Sequence, residues 1–145
     1  MFHNVFGLSS NKPEVCNVLG DCITLRLTAD QTEGQYSVAE FKTPGGVGQP
    51  PHTHDWDETY VVLEGALNLN VDGQATIVPA GGTYLVKAGT VHAPTPDGEF
   101  CQYLMVARPG GVEAVFKSLK ANEKDLGDMA KVVELVTKEG VKIAA

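Results

Sequence analysis

Residues 46–58 read Gly46-Val47-Gly48-Gln49-Pro50-Pro51-His52-Thr53-His54-Asp55-Trp56-Asp57-Glu58, and their spacing governs how the rest of the chain is read. In an extended strand residues two apart share a face, so His52 and His54 project together, as one shared metal ion requires. Glu58 has the same parity if the chain stays extended or bulges only locally. Downstream, His92 follows Lys87-Ala88-Gly89-Thr90-Val91 and can supply a third imidazole from another strand. Each residue taken singly has an ordinary alternative. An H-x-H pair is often two surface histidines, and a histidine after a turn is often only a satisfied turn residue.

Outward from this stretch the sequence falls into short apolar or alternating segments. They are Cys22–Leu27, Tyr36–Phe41, Thr59–Leu63, Ala66–Val71, Ala75–Val78, Thr83–Val86 and Phe100–Ala107. Pro44-Gly45-Gly46, Gly65, Asp72-Gly73, Gly81-Gly82 and Pro94 to Gly98 separate them at the spacing of an antiparallel sandwich or barrel. Asp72-Gly73 is the strongest hairpin signal, because both positions tolerate the positive φ of a tight turn.

After Arg108-Pro109-Gly110-Gly111 the period changes. Val112, Val115, Phe116 and Leu119 form one helical stripe. A second helix is expected from Asn122 as N-cap, with Asp125 at N3, Leu126, Met129, Ala130 and Val133 on its apolar face, and a stop at Gly140. Glu134 and Lys138 add an i,i+4 pair in the favourable order. Both stripes need cover, from the outside of the barrel or from a partner subunit.

At 145 residues and 15.4 kDa the chain is expected to hold one domain with at most a small appendage. With 43% apolar and 20% charged residues it is neither disordered nor built to span a membrane on helices. The net charge of −7 and pI near 4.9 argue against nucleic acid or an anionic membrane as partner, since both call for a basic face. Cys16, Cys22 and Cys101 are odd in number and fit no metal-knuckle spacing, so no disulfide framework is expected and a reducing cytoplasm is the simplest setting. No basic stretch followed by an apolar run marks the first residues, so no signal peptide is expected.

The joint spacing carries more than its parts. Gly46-x5-His52-x-His54-x3-Glu58-x6-Gly65, followed fifteen residues later by Gly81-x5-Lys87-x-Gly89-x2-His92, resembles the two motifs of the cupin superfamily in order. The likeness covers roughly residues 20–111, and Arg108 to Gly111, followed by Val115-Phe116 and a terminal helical tail, resembles the ending of small bacterial cupins related to quercetin dioxygenases. Two positions depart from the usual second motif, Lys87 in place of Pro and Pro96 in place of Asn, and neither is a ligand position. The resemblance implies an all-β fold, a double-stranded β-helix or jelly-roll barrel, with two short C-terminal α-helices. Residues 1–111 would form the barrel with an N-terminal arm, and residues 112–145 a helical tail.

The resemblance further implies that His52, His54, Glu58 and His92 bind one divalent transition metal inside the barrel. Three imidazoles and one carboxylate leave two octahedral positions open, which suits Fe(II), Mn(II), Ni(II) or Co(II) better than closed tetrahedral Zn(II), although zinc is not excluded. The implied activity is a metal-dependent oxygenase acting with O2 on a small oxygen-chelating molecule, Glu58 accepting a proton. The alternatives are a non-redox isomerase or lyase, and a metal or small-ligand binding module without turnover. Cupin thiol dioxygenases lack the carboxylate that Glu58 supplies, and oxalate decarboxylases carry two cupin units. A homodimer is expected from the helical stripes and from the habit of the family.

Other residues are weaker candidates. Trp56 and Tyr60 are expected at the pocket, with plain packing as the alternative. Asp55 and Asp57 are placed to orient an imidazole, or else are solvated loop carboxylates. His3 lies outside both motifs, and Cys101 reads as a buried small hydrophobe.

Overall fold

Along the chain from Asp57 to Val71, Glu58, Tyr60 and Val62 are buried, and after a short exposed stretch Leu67 and Leu69 are buried. The inward parity switches from even to odd positions at Gly65. From His92 to Arg108 the same switch occurs, with His92, Pro94 and Pro96 inward on one side and Cys101, Tyr103, Met105 and Ala107 on the other. A strand whose inward set changes parity halfway has passed from one wall of a barrel to another, with a bulge absorbing the extra residue. The two strands pair antiparallel over their whole length, and their register shifts between Val62 and Glu64 and between Gly65 and Leu67.

The computed structural model describes residues 12–144, so His3 and the arm before residue 12 lie outside the described residues. Nine strands are present among them. These are β1 (Glu14–Val18), β2 (Asp21–Leu27), β3 (Ser37–Pro44), β4 (His52–Thr53), β5 (Asp57–Val71), β6 (Ile77–Pro79), β7 (Thr83–Val86), β8 (His92–Arg108) and β9 (Lys142–Ile143). They run β1-β2-β3-β8-β4-β9, while β5 takes β8 on one side and β7 and β6 on the other. Helices α1 (Glu113–Ala121) and α2 (Met129–Lys138) lie between β8 and β9. The fold is the expected all-β barrel with two C-terminal helices.

Several local expectations change. The Gly65 break is a bend within β5: at φ +75° an added Cβ would run into the carbonyl oxygen of Phe100 on β8, so glycine is required where the two strands cross. Pro94 to Gly98 does not interrupt β8. The Pro94 carbonyl accepts from the Gln49 N–H at 3.2 Å, so this residue's polar edge faces away from β5 and its missing N–H costs no bond to that strand. By parity Pro96 faces the same way. Asp72-Gly73 does form a tight hairpin, with φ of 50° and 83° and reciprocal bonds between Val71 and Gln74. The departure at Lys87 leaves a closed turn, its carbonyl accepting from Thr90 N–H at 3.1 Å with Gly89 at φ +84°.

The helical tail closes one end of the barrel. Val112, Val115, Phe116 and Leu119 are all buried, as their period predicts. Phe116 meets Phe41 edge to face at 5.6 Å, and Phe41 stacks on Tyr103 at 4.7 Å, so α1 is joined to the barrel's interior rings. The second helix differs from expectation. Asn122 leads into a short 3-10 turn, Glu123–Asp125, and α2 starts after Asp128, whose carboxylate accepts from Ala130 N–H. Its buried residues are Val132 and Val136, while Val133 is half-buried and Met129 is 64% exposed. The pair Lys138–Glu134 forms at 3.5 Å on the outer face. The α1 stripe is covered within the chain, as are Val132 and Val136 of α2, while Met129 and Ala130 of the expected second stripe are exposed. The three cysteines are free thiols. No helix among the described residues is long and apolar enough to cross a membrane.

Candidate metal centre

His52 sits in β4, directly opposite His92 in β8, and His54 follows one residue beyond the end of β4. Strand pairing thus sets one histidine against another, and the i,i+2 parity adds the third. Their ligating nitrogens lie within 4.8 Å of one another, and all three rings are buried.

Each ring is held from behind by the backbone. The Nδ1 of His52 bonds to the Pro50 carbonyl at 2.8 Å, that of His54 to Trp56 at 3.0 Å, and that of His92 to Thr90 at 2.9 Å. A carbonyl only accepts, so each Nδ1 carries a hydrogen and each Nε2 is turned to the common centre. The His54 Nε2 has no hydrogen-bond partner among the described residues. It lies 3.2 Å from Glu58 Oε2, close enough for an ion pair but poorly aligned for a hydrogen bond. A buried imidazole nitrogen left without a partner is costly, and a divalent ion at the centre of the three would satisfy it. The residues present fit such an ion.

Glu58, on β5, faces the cluster. Its Oε1 lies 3.3 Å from His92 Nε2 and accepts from the Tyr60 hydroxyl at 2.7 Å, while Oε2 accepts from Trp56 Nε1 at 2.9 Å. Burial alone would raise this carboxyl's pKa, but the flanking His54 and His92 and the Tyr60 hydroxyl hold it well below the usual range. Tyr60 moves the other way, well above a normal phenol, through burial and then the Glu58 charge, so it stays a donor. Burial, with His92 beside it, lowers His52 to about 4. It is therefore a neutral imidazole across the physiological range, the form in which an imidazole can bind a metal.

Trp56 and Tyr60 line the cavity beside the cluster, and both also hold the Glu58 carboxylate. The Trp56 ring stacks on His54 at 4.2 Å, with 4° between the planes. Asp55 and Asp57 orient no imidazole: Asp55 is exposed, and Asp57 accepts from Ala88 N–H at 2.8 Å. Backbone carbonyls do that work instead. Cys101 is fully buried, which pushes its thiol up to about 11.

The cavity holds about 320 Å³ and is walled by the barrel and by the tail. Ile23, Phe41 and Met105 come from strands, Phe116, Leu119 and Val136 from helices, and the exposed Leu19 and Met129 stand at its rim. Strand β9 pairs with β4, setting Ile143 opposite His52, and Ala144 N–H donates to the Pro51 carbonyl at 2.8 Å. Sequence reasoning missed this roof. The stripe of α1 was visible, but nothing local said where it would dock.

Residues 41–107 match the cupin domain family. The chain is 33% identical over 97 residues to quercetin 2,3-dioxygenase of Bacillus subtilis (strain 168), a match that takes in 65% of this chain and 29% of that protein. Among solved structures, a RmlC-like cupin from Shewanella frigidimarina NCIMB 400 superposes with a TM-score of 0.63 at 16% identity, covering 78% of this chain and 98% of that one. The polyketide cyclase RemF from Streptomyces resistomycificus gives 0.61 at 20% identity, covering 74% and 80%. At such identities the likeness concerns the fold. Motif spacing, barrel and domain match agree on the fold of a small cupin, which here buries a three-histidine cluster.

Proposed function

We propose that this cupin is a metal-dependent enzyme whose ion is held by His52, His54, His92 and Glu58, and that it oxygenates a small organic substrate. One observation carries the reading: three imidazoles, each fixed through Nδ1, turn their free nitrogens to one point beneath an apolar cavity. The resemblance to quercetin 2,3-dioxygenase favours oxygenation, although the chain spans only 29% of that relative's length. A bound divalent ion of the iron, manganese, nickel or cobalt type would polarise a substrate's enol or keto oxygens and bring O2 beside them.

The chain's own residues supply the rest. Glu58 is the ionised base beside the metal position and takes the enol proton on an oxygen that it frees from Trp56 or Tyr60. Tyr60 then stabilises the remaining carboxyl through its hydroxyl. The apolar walls exclude water, which strengthens each of these interactions.

Conversion of flavonols, β-diketones and keto acids, followed with and without oxygen, tests this reading. Turnover is expected to consume O2 and to stop anaerobically. Glu58→Gln is expected to lower it about 100-fold or more at matched metal loading, since the amide cannot take a proton. Oxygen-independent conversion would instead establish the non-redox isomerase or lyase reading, which the same base also supports. Tight binding without product would leave a binding module.

A homodimer is part of the proposal. The α1 stripe and the buried face of α2 are used within the chain, and the dimer's support is now the outer face of β5, β6 and β7, where Leu63, Ile77 and Leu85 are each about half exposed. Sedimentation at micromolar concentration is expected to give a dimer that Leu85→Lys dissociates. A wild-type monomer would remove this element.

A further inference from the structure

The cavity contains a second carboxylate, Asp21, at the start of β2 and away from the histidines. Its Oδ1 is fully engaged, accepting from the Thr43 hydroxyl at 2.7 Å and from the Cys22 N–H at 2.9 Å. Among the described residues nothing donates to its Oδ2. Tyr60 lies beside both Tyr103 and the histidine cluster. The two tyrosine ring centroids are 5.7 Å apart, and Tyr60 lies 6.4 Å from His92. Burial raises the Asp21 pKa, and its charge in turn acts on Tyr103. No lysine or arginine lines the cavity. A carboxylate placed at this end would face the Asp21 charge with no lysine or arginine among the lining residues to offset it, which favours a neutral donor group here.

A largely apolar chamber with a charged, free acceptor apart from the histidine cluster selects for shape and for a donor at that point. We propose that Asp21 is a substrate-recognition residue. Its Oδ2 accepts the hydrogen of a hydroxyl on a neutral, ring-bearing substrate whose other end faces His52, His54 and His92. This deepens the enzymatic reading above and rests on it, naming the substrate class as hydroxylated aromatics of two or three rings. The volume of about 320 Å³ accommodates that size.

Calorimetric titration of the full chain with 2-naphthol, 2-methoxynaphthalene and naphthalene tests the proposal, in metal-stripped and zinc-loaded protein. The wild type is expected to prefer 2-naphthol about 10- to 100-fold, the worth of a hydrogen bond to a charged acceptor. 2-Methoxynaphthalene keeps the oxygen without its hydrogen and is expected to bind no better than naphthalene. In Asp21→Asn the oxygen held by Thr43 and Cys22 is retained and an NH2 replaces the acceptor, so the preference should fall below about threefold. Equal wild-type affinity for the three probes, no binding of any, or an unchanged preference in Asp21→Asn would overturn the assignment. The wild-type comparison decides even if the variant fails to fold. If the cluster takes no metal, the enzymatic reading fails visibly, while the naphthol preference of the stripped chain still decides the role of Asp21.

Discussion

His52→Ala and His92→Ala proteins are expected to retain less than about a tenth of the metal held by the wild type, and the triple histidine variant none. Each imidazole is pre-aimed by a backbone carbonyl, so deleting one removes a ligand that no neighbouring side chain can replace. Elemental analysis after purification measures this directly, and full occupancy in the triple variant would end the metal assignment.

The same residues make the metal-free chain acid-sensitive. Unfolded, His52 takes a proton near its ordinary value of 6.5; folded, it resists until about 4. Between those values the unfolded chain binds the extra proton, so stability rises with pH, and the contribution present above 6.5 is lost as pH falls to 4. The loss is on the order of 3 kcal/mol. Glu58, held low in the folded state, adds to it below its unfolded value. Thermal midpoints of the metal-free protein should therefore fall steadily from pH 7 to pH 4, and His52→Gln should flatten the upper part of that curve. A flat wild-type profile would mean that His52 is not buried neutral.

Ending the chain at Gly111 is expected to be the most destructive change. It removes Val115, Phe116, Leu119, Val132, Val136 and Val141, all buried, and leaves β4 without β9. At roughly 1.5–3 kcal/mol for each buried side chain, the gross loss reaches the ~5–15 kcal/mol of a whole domain before the cost of ordering the tail is returned. The shortened chain should bind a hydrophobic dye and lose its cooperative thermal transition. An unchanged midpoint without dye binding would mean that the tail adds nothing to the barrel.

The metal cluster was legible because its geometry is local: His52 and His54 share a face by parity, and the spacing to His92 matches a motif. Elements whose state depends on a distant partner were not. Strand β9 is two residues long and is a strand only because His52 and Thr53 lie beside it. Pro94 and Pro96 read as breakers until the free side of β8 is known. The apolar face of α2 was misplaced because the 3-10 turn ahead of it resets the helix start to Asp128, burying Val132 and Val136 in place of Met129. Asp21 carried no signal, since the hydroxyl that fixes it belongs to Thr43, twenty-two residues away at the end of the next strand.

The chain has a single tryptophan, and it is Trp56. Stacked on the His54 imidazole and bonded to Glu58, its indole is an optical gauge beside the proposed metal position. Ions with partly filled d shells quench a nearby excited indole, so emission from the unlabelled protein reads occupancy of the centre without interference from any other tryptophan in the chain.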